Sequence, residues 1–76
     1  MHCTVCSVIP HDGDWIAECG AVSHGPYMAK GIALHVATSE ALALHRLGKP
    51  ARVSVQDSAG EIEVEYCLCS DFQKTR

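Results

Sequence analysis

The chain is short of positive charge, of aromatic rings and of long apolar runs. Six Lys and Arg stand against nine Asp and Glu, a formal net charge of −3, with a pI near 5.9. A general nucleic-acid binder needs a basic face, and this balance argues against one. No apolar run approaches the ~18 residues needed to span a bilayer. The start, Met1-His2-Cys3-Thr4, has no basic leader region, so a protein acting in the cytoplasm is expected. Aromatic residues make up only 5%, and Trp15 and Tyr66 are expected to supply most of the aromatic burial. There is no internal repeat and no low-complexity tract.

What is present fits one small domain. The 76 residues are about half of the usual ~150 per domain, and a chain this short folds marginally unless a metal, disulfides or a partner helps. The 47% hydrophobic and 20% charged content exclude a disordered or collagen-like chain. Five cysteines cannot form a complete intramolecular disulfide set. With no export signal they are expected to remain free thiols in a reducing compartment.

Thr4-Val5-Cys6-Ser7-Val8-Ile9 is rich in β-branched and small residues and reads as a strand stopped by Pro10. His11-Asp12-Gly13-Asp14 supplies a turn, and Trp15 to Cys19 the return strand of a hairpin. Gly20 to Pro26 reads as a loop. From Met28 to Leu47 the chain is Ala- and Leu-rich without proline, which favours helix, and Gly48-Lys49-Pro50 stops it. At 100° per residue, Ile32, Val36, Ala43 and Leu47 form one apolar stripe, expected to face the core, while Leu34 and Leu42 fall outside it.

Ala51-Arg52-Val53-Ser54-Val55-Gln56 and Glu61-Ile62-Glu63-Val64-Glu65-Tyr66 alternate in polarity around the hairpin loop Asp57-Ser58-Ala59-Gly60. Val53, Val55, Ile62, Val64 and Tyr66 are expected to face the helix. Glu61, Glu63 and Glu65 are expected on the solvated face, with Arg52 as a cross-hairpin partner. The order is ββαββ: an α+β domain, a small antiparallel-rich four-stranded sheet packed on one helix. It forms a single domain over 1–76, with its core at about 4–69 and a polar tail at 70–76.

Several short motifs, in this order, resemble a small bacterial family of domains of unknown function. They are Val8-Ile9-Pro10, Gly13-Asp14-Trp15, Gly25-Pro26-Tyr27, the spaced Ala33, Ala37 and Ala41, Gly48-Lys49-Pro50-Ala51-Arg52-Val53, and Asp57-Ser58-Ala59-Gly60-Glu61-Ile62. The resemblance covers roughly residues 5 to 66. It implies a compact ββαββ domain and no established activity. Ala29 stands where the family carries Ser or Thr, which removes a side-chain helix cap.

Cys3-x-x-Cys6 with Cys67-x-Cys69 offers four thiolates to a zinc ion, His2 being close by. Side chains three apart on a strand point to opposite faces, however, and the second pair is CxC. Metal binding is therefore the weaker reading, and no cofactor is expected. His35 and His45 are ten apart on the helix and cannot share a ligand. His11 and His24 fall in expected loops, where they are solvated. A single small core leaves little room for a ~300 Å³ pocket, so an enzyme is not expected. Leu34 and Leu42, apolar and off the core stripe, mark a candidate partner surface. The reading is a non-enzymatic protein-interaction or homodimerisation module. A zinc-binding domain using the terminal cysteines is the alternative. A nucleic-acid-associated accessory protein, with Lys30, Arg46, Lys49 and Arg52 as a basic face, ranks third.

Overall fold

The computed structural model describes residues 3–68. Two neighbouring positive-φ residues, Asp12 and Gly13, make the tight turn between strands β1 (Thr4–His11) and β2 (Asp14–Cys19). Positive φ at both positions matches the right-handed twist of the strands it joins. Residues 22–27, expected as loop, form a third strand, β3 (Val22–Tyr27). Gly25 and Pro26 argue against a central strand, but β3 lies at a sheet edge, where a missing N–H costs no ladder bond. The register against β2 slips between Trp15 and Ala17, and Gly25 sits at that irregularity with φ +112°.

A Cβ on Gly25 would lie 3.1 Å from the Trp15 carbonyl oxygen. Gly25→Ala is therefore expected to cost about 1–3 kcal/mol through backbone strain and that close approach. Urea unfolding of the variant, compared with Gly13→Ala, where a Cβ meets nothing within 4 Å, separates the crowding from the positive φ the two share.

The helix α1 spans Lys30–Arg46, with Ala29 at its N-cap, whose methyl side chain makes no cap bond. Its C-terminus closes through Gly48 N–H to the His45 carbonyl and Lys49 N–H to the Leu44 carbonyl. Gly48, at φ +80°, supplies the left-handed residue this closure requires. Strands β4 (Ala51–Gln56) and β5 (Ile62–Leu68) follow as an antiparallel hairpin. Asp57 Oδ1 accepts bonds from the Ala59 and Glu61 amides in its loop.

The result is α+β: one helix on a five-stranded mixed sheet of order β3-β2-β1-β4-β5. The expected four strands become five because β3 was hidden by its Gly-Pro pair. β1 and β4 are parallel central neighbours, and α1 is the crossover from the β3 edge back to β4. It therefore lies over β1, β2 and β4 and only brushes β5.

The core is built of small residues. Cys6, Val8, Ala17, Cys19, Ala51, Val53 and Val55 on the sheet meet Ala33, Ala37 and Ala41 on the helix. All three alanines are fully buried. The stripe of Ile32, Val36, Ala43 and Leu47 is thus not the core face. Leu47 is 70% exposed and Ile32 and Ala43 are also exposed, while Val36 only flanks the core. Alanines let the helix axis approach the sheet closely, and the bulkier residues spread to either side. Trp15 and Tyr27 pack against the core, whereas Tyr66 is half-exposed.

Candidate functional site

Because β5 is added after the crossover, its helix-side residues have no second layer over them. Val53 pairs with Tyr66, Val55 with Val64 and Ala51 with Leu68, so the apolar residues of β5 continue the buried face of β4 outwards. Ile62 is 59% exposed, Tyr66 50%, and Val64 is exposed as well. Val64 and Tyr66 point as expected, uncovered by the helix, but Ile62 pairs with Gln56 beyond a register slip and so falls on the other face of the sheet.

Leu34, Thr38 and Leu42 project from the neighbouring flank of α1, and together with Val53, Tyr66 and Leu68 they line an open cavity of about 300 Å³. The two leucines singled out from sequence thus share one wall. Leu34 is half-buried against the core and Leu42 is 37% exposed. A hollow of this size was not expected in so short a chain. Of its lining side chains only Thr38 and Tyr66 carry a hydroxyl, so it presents apolar surface and no acid–base pair.

The two ends of the groove differ in charge. At one end the Lys30 ammonium donates to a Glu63 carboxylate oxygen, and lies 5.3 Å from the Trp15 ring centroid. Lys30 of the helix, not the expected Arg52, is the partner of Glu63. The register slips between Val55 and Gln56, making Glu63 the extra residue opposite them. Exposed Glu61 is adjacent. At the other end, Arg46 and Lys49 close the helix just before Ala51, the partner of Leu68. Lys30 is therefore a helix length, roughly 24 Å, from Arg46, and the four expected basic residues do not form one face.

The cysteines are not all free. Cys6 and Cys19 face each other across β1 and β2 and form a disulfide, with Cα atoms 4.0 Å apart. Cys67 is also disulfide-bonded, and Cys3 is a free, half-buried thiol. A bridged Cys6 cannot serve as a thiolate ligand, and Cys69 lies outside the described residues. β4 also lies between β1 and β5, separating the strands that carry Cys6 and Cys67 by roughly 10 Å. Among the described residues no group of three or more His, Cys, Asp or Glu is placed to hold a metal.

His11 is exposed at the end of β1, its Nε2 3.8 Å from Asp12 Oδ2. His24 sits in β3, not in a solvated loop, and its Nε2 is enclosed with no hydrogen-bond partner among the described residues. No described helix is long and apolar enough to cross a membrane. Comparison with protein-family models, with curated proteins and with solved structures finds no match to this chain.

Proposed function

We propose that the chain is a non-enzymatic interaction module that docks a protein partner in the groove between α1 and β5. One observation carries this reading: the apolar face of β5 runs on from the core and has no covering layer. A rough estimate from the fractional exposures of Leu42, Val64 and Tyr66 puts this surface on the order of 300 Å², at the lower end of the largest apolar patches on small monomers, which are often functional. Leu34 and Leu42 are its helix wall, and the resemblance to a bacterial family without an activity is compatible with such a role. A cytoplasmic site of action fits the module only with the Cys6–Cys19 bridge opened, because a reducing compartment keeps thiols apart.

The test is binding of the apolar dye anilinonaphthalene sulfonate at protein concentrations low enough to keep the chain dilute. The folded chain is expected to enhance the dye's fluorescence. Leu42→Asp should abolish the enhancement in a chain that still folds, since Leu42 is 37% exposed and stands outside the buried core cluster. Leu42→Ser, with no charge, is the variant to use if the aspartate does not fold. A folded chain that leaves the dye dark would sink the docking reading.

A further inference from the structure

We infer that the partner docking here is an extended peptide segment of alternating apolar and basic residues, which adds to β5 as a further strand of the sheet. The inference rests on the docking reading above and names the chemistry of the partner.

The first argument is the backbone. A strand at a sheet edge turns alternate N–H and C=O groups outwards, and an extended peptide takes them up by strand addition. The edges of this sheet are β3 and β5. β3 contains Gly25 and Pro26, and proline has no N–H to give. β5 contains neither residue type. Its register slip lies near its start, and from Val64 to Leu68 it runs evenly against Val55 to Ala51. A partner strand therefore meets a regular template along most of β5.

The two faces of β5 set the partner's pattern. Val64 and Tyr66 are exposed on the helix side, where Tyr66 and Leu68 line the hollow. Glu65, opposite Ser54, lies on the other face. Side chains of an added strand stand about 4.5–5.5 Å from those directly opposite them, Cβ to Cβ. Apolar residues are therefore favoured on the helix side, where they flank Val64 and Tyr66 and carry the covered surface past the rim of the groove. A positive charge is favoured opposite Glu65. One extended strand delivers both, because its side chains alternate between faces.

Charge also excludes the nearest competitor. Among the described residues Glu63 has Lys30 as its cation, while no ion pair engages Glu61 or Glu65. The antiparallel register that would pair Ile62–Leu68 with the same strand of another copy sets Glu65 against itself. Moving its centre to Val64 sets Glu63 against Glu65. Like charges directly opposite destabilise a strand pair, whereas opposite charges favour one. The same carboxylates thus refuse a copy of this edge and accept a cationic strand, which is specificity through a repulsive element.

The probe is a blocked peptide of about seven residues with lysine and valine in strict alternation. Amide hydrogen exchange of the full chain, read residue by residue by NMR with and without the peptide, shows where it sits. Alternate amides between Val64 and Leu68 are expected to exchange several-fold more slowly, and those of β3 to stay unchanged. A peptide of the same composition with its lysines in one block should protect neither edge. Glu65→Lys, a change at an exposed position, should weaken binding several-fold and favour instead the peptide with glutamate in place of lysine. No protection along β5, equal protection by the blocked-lysine order, or indifference to Glu65→Lys overturns the inference. Dye binding separates it from the docking reading. A chain that lights the dye through Leu42 yet ignores the peptide keeps the groove for a partner that is not a cationic strand. With neither response, both claims fall.

Discussion

Opening the Cys6–Cys19 bridge is expected to lower the unfolding free energy by about 3 kcal/mol. Thirteen positions separate the two cysteines, and cross-linking a loop of that size removes roughly this much chain entropy from the unfolded state. For a domain of this length each kcal/mol moves the melting temperature by about 4–8 °C, so the shift is roughly 12–24 °C. The bridge lies in the core beneath the helix, with Cys6 fully buried, so replacement by alanine leaves no unpaired polar group behind. Melting the wild type and a Cys6→Ala/Cys19→Ala variant with and without dithiothreitol reads the effect directly. The reductant should shift the wild type strongly and the variant little. An equal shift in both would assign the stabilisation to the bond at Cys67 instead.

That pairing was written in the sequence, in a place where composition does not look. A two-residue Asp12-Gly13 turn sets His11 opposite Asp14, and counting outwards in steps of one places Cys6 opposite Cys19. The hairpin itself is legible from its β-branched run and its turn. The register needs the turn type as well. By contrast β3 is hidden, because Gly25 and Pro26 are read as breakers and only the sheet's edge position makes them tolerable. The strand hairpin at the C-terminal end follows cleanly from its alternation. Its exposure does not, since whether β5 is covered depends on which strands the helix crosses, and that is a property of the topology. Leu34 and Leu42 lie off the apolar stripe of Ile32, Val36, Ala43 and Leu47, and that stripe is not the core face. They do share one wall of the groove, because the true core face lies beside them.

The helix face supplies the second large expectation. Ala37→Leu should destabilise the domain by about 3 kcal/mol, at the upper end for overpacking, because the added carbons meet a sheet already in contact with the helix. Ala37 has no exposed surface, and its neighbours on the same face, Ala33 and Ala41, have none either. The helix therefore cannot roll the new side chain towards solvent without lifting two further contacts. Truncating the bulkier Ile32 to alanine should cost under about 1 kcal/mol, because its side chain is half in water. A hydropathy reading predicts the reverse order, with Ile32 in the core costing about 2–5 kcal/mol and Ala37 free to grow. Urea unfolding at unchanged m-value distinguishes the two orders, since the midpoint alone then reports stability. If Ile32→Ala proves the costlier change, the helix is rotated by about a third of a turn from the orientation described. The groove walled by Leu34 and Leu42 would then not exist, so this pair of variants tests the face on which the docking site depends.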